Sequence, residues 1–278
     1  MHICLLIMKK ILINVIYKYI LILFVCYKIF MKKNDDLIDF GSKDIPFKLK
    51  QNLVNNIFHN VSNHYDLMND FMSLGLHRLW KKSFVDWMAP RNSFHLVDLA
   101  GGTGDISYNF LLRGGAKATI LDINGSMIAE GKKNIKYSKY LDKINWVISD
   151  AESISLKNSS ADIVSISFGL RNVSDRAMVL KESKRVLKKG GRFMCLEFSS
   201  IQSSFLKALY DSWSFNVIPY LGDKIAQDKE SYLYLVESIR RFPDQESLSE
   251  LIRSAGFSSV RYRNLSGGIV AMHSGWNY

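Results

Sequence analysis

Asp98-Leu99-Ala100-Gly101-Gly102-Thr103-Gly104-Asp105 is the stretch that decides the fold of this chain. It follows an apolar run (Phe94, Leu96, Val97) and precedes Ile106 to Arg113, which reads as helix. Strand, glycine-rich turn and helix together open a nucleotide-binding α/β unit. Gly101, Gly102 and Gly104 permit positive φ and let a ligand approach the backbone with no Cβ in the way. A second strand, Lys117 to Ile123, carries Asp122 near its end. An acid about 20 residues after such a turn suits hydrogen bonds to two ribose hydroxyls. The pattern predicts an adenosine-type cofactor.

A dinucleotide fingerprint needs a third glycine, so that the helix packs closely and its N-terminus faces a pyrophosphate. Counted from Gly102, that position is Ser107. Asp98 and Asp105 also make the loop a poor host for an anionic phosphate. They suit an ammonium and a sulfonium, the charges of S-adenosyl-L-methionine. A tight structural turn is the simpler alternative for the glycines alone, but it leaves the spacing of Asp122 unexplained.

The 278 residues suffice for one large α/β domain with a full core. Cys4, Cys26 and Cys195 lie far apart, with no Cys-x-x-Cys pair and no histidine cluster at ligand spacing. That excludes a disulfide framework and a structural zinc site, and no metal is expected. The net charge of +11 is concentrated at one end: residues 1–34 hold six of the 37 basic residues and no acid. The other 31 basic residues face 26 acidic ones and are scattered, which implies no nucleic-acid surface. A mildly basic face suits an anionic membrane.

Residues 1–34 are strongly apolar, yet Lys18 and Lys28 limit the longest uncharged run to nine residues. A spanning helix needs roughly 18 or more. The basic, acid-free leader is read as a mitochondrial presequence, with a secretory signal or membrane anchor as the competing readings.

Residues 35–92 read as mostly helical, and Pro90 and Asn92 break the chain before the first strand. Strands are then expected at 117–123, 144–149, 162–168 and 192–198, with a helix at 126–138. Asp175 can cap a further helix with the inward stripe Val179, Leu180, Ser183, Val186 and Leu187. Gly190 and Gly191 are expected to stop it, with Lys188 and Lys189 in its last turn. The alternation implies a parallel sheet covered on both faces. Residues 199–243 carry eight aromatic residues and read as a helical cap over a large apolar pocket. A last helix ends at Gly256, and strands near 259–265 and 269–273 flank Ser266-Gly267-Gly268 as an antiparallel terminal hairpin.

From about residue 60 to 278 the chain resembles the ubiquinone/menaquinone biosynthesis C-methyltransferases, most closely their mitochondrial branch. The resemblance rests on Tyr65-Asp66-Leu67-Met68-Asn69-Asp70, His77-Arg78-Leu79-Trp80-Lys81, the Asp98–Asp105 motif and Phe168-Gly169-Leu170-Arg171-Asn172-Val173. It continues in Leu196-Glu197-Phe198-Ser199, Ser214-Phe215-Asn216-Val217-Ile218-Pro219, Glu237-Ser238-Ile239-Arg240 and Phe242-Pro243-Asp244-Gln245-Glu246, and ends with Gly267-Gly268-Ile269-Val270-Ala271. Trp213, where the family usually has tyrosine, and residues 35–58 depart from the pattern.

The resemblance implies a seven-stranded Rossmann-like S-adenosylmethionine-dependent methyltransferase fold over residues 93–278. It implies cofactor contacts at Thr103, Asp122, Asp150, Ala151 and Ser167, which join Asp98, Gly101, Gly102 and Gly104 from the motif itself. It further implies C-methylation of 2-methoxy-6-polyprenyl-1,4-benzoquinol, a homodimer, a multi-enzyme quinone-synthesis complex, and peripheral attachment to the matrix face of the mitochondrial inner membrane. Arg171 is the candidate for stabilising a developing phenolate or orienting a water, against the simpler reading of an Arg171–Asp175 contact. Tyr65, Asp66 and His64 are candidate bases, against helix capping by Asp66. The alternatives are an O-methyltransferase, a demethylmenaquinol methyltransferase, an NAD-linked oxidoreductase, which Ser107 disfavours, and a non-catalytic subunit.

Overall fold

The structure is a computed structural model that describes residues 37–61, 69–70, 73–221, 223–224 and 229–278. The leader 1–34 and the candidate bases His64, Tyr65 and Asp66 lie outside the described residues. The elements in chain order are β1 (Leu37–Phe40), β2 (Lys43–Pro46), α1 (Phe47–Val61), α2 (His77–Met88), β3 (His95–Leu99), α3 (Asp105–Leu112), β4 (Lys117–Asp122), α4 (Gly125–Lys133) and β5 (Ile144–Ile148). They continue with β6 (Ala161–Ser167), α5 (Arg176–Val186), β7 (Leu187–Phe198), α6 (Ser204–Ser212), α7 (Ile218–Leu221), α8 (Lys229–Arg241), α9 (Gln245–Ser254), β8 (Ser258–Leu265) and β9 (Val270–Asn277).

Seven strands form one sheet in the order β5-β4-β3-β6-β7-β9-β8. The first five are parallel, and β9 runs antiparallel to both β7 and β8. This is the expected α/β sheet with its terminal hairpin. Because side chains alternate along a strand, each strand feeds two cores. Leu96, Ile120, Ile163 and Leu196 meet Trp80, Phe84 and Phe110 on one face. Val97, Leu121, Val164 and Phe193 meet Leu180, Ile252 and Phe257 on the other. The order of strands reverses between β3 and β6, so their carboxyl ends leave a crevice where open α/β sheets bind ligands.

Three local expectations are corrected. Residues 35–92, read as mostly helical, also contain β1 and β2, which form an antiparallel hairpin with Phe40 opposite Lys43. Gly41, at φ +57, supplies the left-handed residue of the two-residue connection Gly41-Ser42. The helix after Asp175 ends at Val186, not at Gly190, and its last-turn cations are Lys184 and Arg185. Leu187 already has strand geometry, and Gly190 and Gly191 lie in a bulge where Ala161 pairs with Leu187 but Ile163 pairs with Arg192. The helix expected over 126–138 stops at Lys133, after which residues 135–140 form a 3-10 segment.

The described residues of 199–243 are largely helical, as expected. Ser203 caps α6 through Leu206 N–H. The helix then widens into a π-helical turn over Trp213–Val217 and runs into α7.

Candidate active site

The glycine-rich turn is drawn onto β4. Gly101 N–H donates to Leu121 O at 3.0 Å, and Gly102 N–H donates to Asp122 Oδ2 at 2.8 Å. Each glycine has its own requirement. A Cβ on Gly101 would stand 2.8 Å from Ile120 Cγ2, while Gly102 and Gly104 hold φ of +54° and +85°. Gly104 is the N-cap of α3 and is also packed against Ile120, Trp146 and Tyr137. Tyr137 adds a hydroxyl bond to Thr103 O. Ala100 and Phe168, just past the ends of β3 and β6, both take positive φ and both line the crevice.

The crevice has two parts that meet at Ala100. The larger, about 770 Å³ and open to solvent, is lined by Gly102, Asp122, Met127, Asp150, Ala151 and Phe168, with Gln51, Val54 and Asn55 of α1 across from them. Asp122 directs one oxygen to Gly102 N–H and the other to Asn124 N–H, both at 2.8 Å. Each oxygen keeps a second lone pair for a ribose hydroxyl. Burial pushes the Asp122 carboxyl above the usual range, and the two amides oppose that. Asp150 accepts from Glu152 N–H at 2.8 Å and from Gln51 Nε2 at 2.6 Å. Ala151 packs against the second core.

The smaller part is lined by Lys81, Asp98, Gly101, Thr103, Asp105 and Ser167. Ser167 Oγ is buried there without a hydrogen-bond partner among the described residues. An orphaned hydroxyl in a niche of mixed charge fits the amino-acid end of S-adenosylmethionine. The adenosine half fits the larger part.

Asp98 lies deeper than the sequence implies. It is fully buried and accepts from Ser165 Oγ at 2.7 Å and Ser107 Oγ at 3.0 Å. Burial raises its carboxyl to about 6, against the two hydroxyls and the charge of Lys81. Ser107, the residue that departs from the dinucleotide fingerprint, is thus the partner of Asp98. Asp105 is not a free carboxylate for an ammonium either, since Lys81 Nζ stands 2.9 Å from its Oδ2.

Arg171 does not contact Asp175. Asp175 caps α5 through Met178 N–H at 3.0 Å. Arg171 is buried, with Nη1 at 2.8 Å from Glu197 Oε1 and at 2.7 Å from Phe168 O. Its Nε has no partner among the described residues. The guanidinium lies over the Phe198 ring, which packs with Phe168 and Trp80. Tyr234 of α8 reaches the same corner and donates to Asn172 Oδ1 at 3.3 Å. Burial raises the phenols of Tyr210 and Tyr234 far above their usual value, against the charge of Arg171. Both stay protonated, so they serve as donors and walls rather than bases.

Sequence reasoning missed Glu197, Lys81, Gln51 and Tyr234 as site residues. Glu197 and Lys81 stood inside quoted motifs, and an acid in an otherwise apolar strand was the available signal for Glu197. Gln51 carried no local signal, because its place depends on how α1 lies across the sheet. Hairpin and helix are held there by Lys50–Asp39 and Arg176–Asp39 ion pairs at 3.0 and 2.9 Å. Asp70 and His77, from two further motifs, join each other at 3.0 Å.

A sequence profile described as the ubiE/COQ5 methyltransferase family matches residues 47–277, reaching further toward the N-terminus than the motifs did. The ubiquinone/menaquinone biosynthesis C-methyltransferase UbiE of Acidiphilium cryptum is 50% identical over 243 residues, covering 87% of this chain and 98% of that one. UbiE of Paracoccus denitrificans is 50% identical over 238 residues, covering 85% and 95%. Among solved structures, a SAM-dependent methyltransferase of Thermotoga maritima shares the fold with a TM-score of 0.58 at 21% identity, covering 81% of this chain and all of that one. One from Aquifex aeolicus does so with 0.53 at 13% identity, covering 76% and 97%. The chain belongs to the ubiE/COQ5 methyltransferase family, the family of the ubiquinone/menaquinone biosynthesis C-methyltransferases, and is an S-adenosylmethionine-dependent methyltransferase.

Proposed function

We propose that the methyl acceptor is a ring carbon of 2-methoxy-6-polyprenyl-1,4-benzoquinol. The observation that carries this reading is the buried corner beside the crevice-lining Phe168, where the Arg171 guanidinium lies over the Phe198 ring and donates to Phe168 O. Bound S-adenosylmethionine supplies an electrophilic methyl group on a sulfonium. Loss of a phenolic proton makes the quinol ring nucleophilic at carbon; the new C–C bond forms as the C–S bond breaks, and the ring proton then leaves. Charge is annihilated in that step, so alignment and exclusion of water matter most. Arg171 stabilises the phenolate or orients a water, and it acts with part of its charge offset by Glu197. His64, Tyr65 and Asp66 are the proposed bases.

Gly101, Gly102, Thr103, Gly104, Asp122, Asp150, Ala151 and Ser167 are proposed to hold the cofactor, with Asp98 beneath them. The polyprenyl tail leaves under the cap, whose exposed Phe205, Leu209 and Phe215 suit an apolar surface. The protein is proposed to act as a homodimer in a quinone-synthesis assembly at the matrix face of the mitochondrial inner membrane. The basic leader supports that compartment; the relatives named above are bacterial and do not bear on it. No helix among the described residues is long and apolar enough to cross a membrane. Demethylmenaquinol is the second acceptor, favoured by the double naming of the relatives.

The test supplies methyl-labelled S-adenosylmethionine with each reduced acceptor in short-chain form and locates the label by mass spectrometry. Label on a ring carbon of the methoxy-benzoquinol is the expected result. Label on oxygen, or only on demethylmenaquinol, would replace the acceptor. Cofactor binding without transfer to either would favour a structural subunit.

A further inference from the structure

A second cleft, about 870 Å³ and open to solvent, lies on the β7-β9-β8 edge of the sheet. Its position follows from strand register. Arg192 pairs with Ile163 near the start of β6, whereas Ser167, beside the cofactor niche, is at the other end of that strand. On the same face, Arg192 stands opposite Trp276, Arg261 opposite Ser274, and Arg263 two residues further along β8. Trp87 of α2 closes one side: the Arg192 and Arg263 guanidinium carbons lie 4.8 and 4.7 Å from its ring centroid. Arg192 also lies 5.2 Å from the Trp276 ring.

The charged side chains that line this cleft are all arginines. No carboxylate among the described residues pairs with Arg192, Arg261 or Arg263. Arg192 spends Nε on Ser274 Oγ at 2.6 Å and Nη1 on Trp87 O at 2.8 Å, so its guanidinium is fixed in place with Nη2 left over. Burial and the neighbouring charge of Arg263 hold it down to about 10. The indole rings offset part of the repulsion between these like charges, and a bound anion would remove the rest. Arginine forks match the oxygens of phosphate, and the indole rings stacked on Arg192 and Arg263 hold two of those forks in orientation.

The geometry points to a binding site for a phosphate-bearing anion, formed by Arg192, Arg261 and Arg263 between Trp87 and Trp276, separate from the cofactor crevice. The phosphate comes from a lipid headgroup or from a soluble phosphate compound. The site requires neither the methyl acceptor nor the cofactor, so it stands if the proposed acceptor is replaced.

The test uses the full chain and the R261Q/R263Q variant, whose changes lie on the exposed edge strand. Tryptophan fluorescence and thermal unfolding are followed against inorganic phosphate and pyrophosphate, with sodium chloride at matched ionic strength. Saturable binding to the wild type is expected, weakened about tenfold in the variant, as loss of charge-assisted bonds implies, with S-adenosylmethionine affinity unchanged. Flotation with phosphatidylcholine vesicles, with and without phosphatidic acid, identifies the source. Phosphatidic-acid-dependent flotation lost in the variant assigns a lipid headgroup; saturable phosphate binding with equal flotation of both proteins assigns a soluble compound. Responses alike in wild type and variant in both arms, or reproduced by chloride, overturn the proposal. R192Q, which removes the fixed guanidinium, must weaken binding as well.

Discussion

Arg171 and Glu197 join the end of β6 to the end of β7 through an ion pair that water barely reaches, 4% and 1% exposed. The contact is doubled by Arg171 N–H, which donates to Glu197 Oε2 at 3.3 Å. The loop that carries Arg171 is therefore positioned by an acid on the neighbouring strand. Removing one partner leaves a buried charge unpaired, which costs about 3–5 kcal/mol. Arg171→Ala should lose about that much stability in denaturant unfolding and should lose turnover, while S-adenosylmethionine still binds. The double variant Arg171→Ala/Glu197→Ala should be less destabilised than the two single losses added together. Normal turnover in Arg171→Ala would remove Arg171 from the reaction.

Gln51 of α1 donates to Asp150 across the crevice at 2.6 Å. This bond holds the helix over the larger part of the crevice. Gln51→Ala should raise the calorimetric Kd for S-adenosylmethionine about fivefold, the equivalent of roughly 1 kcal/mol. The turnover number at saturating cofactor should change little.

Gly104 and Gly114 share a left-handed conformation, at φ +85 and +89, but differ in space. A Cβ on Gly104 would stand within 3.0 Å of Ile120, Trp146 and Tyr137, whereas one on Gly114 would meet nothing within 4 Å. Gly114→Ala should cost only the left-handed penalty, roughly 1–2 kcal/mol. Gly104→Ala should cost clearly more and weaken cofactor binding as well. Thermal unfolding of the two variants side by side makes the comparison.

Burial raises the Asp98 carboxyl to about 6 in the fold, against an ordinary aspartate value of 3.8. A carboxyl raised by folding binds its proton more tightly in the native state. Its contribution is therefore most favourable at low pH, falls as pH rises from about 4 to 6, and is constant above that. The span amounts to about 3 kcal/mol. The stability of wild type relative to Asp98→Asn should decline across that window and flatten by pH 7. A difference that does not change with pH would show that folding leaves the Asp98 carboxyl unshifted.

Local order in the chain was enough for the architecture and the cofactor. Apolar runs of strand length separated by amphipathic helices specify a covered parallel sheet. Gly101, Gly102 and Gly104 before α3, with Asp122 ending the next strand, pointed to an adenosine-type cofactor because both features are set by residues close in sequence. The helical character of 199–243 and the terminal hairpin were legible for the same reason. The end of α5 was not: two glycines after two lysines look like a helix stop, and only pairing of β7 with β6 turned them into a bulge. The β1–β2 hairpin was missed because its strands are too short for periodicity to register, although Gly41-Ser42 was a turn signal. Tertiary structure alone decided that Arg171 pairs with Glu197 instead of Asp175, that Lys81 engages Asp105, that Gln51 spans the crevice, and that three arginines share one face with two tryptophans. Those pairings join residues from 24 to 99 positions apart in the three hydrogen-bonded cases. Sequence spacing carries no trace of them, because partner choice there depends on strand order and helix placement, which long-range packing selects.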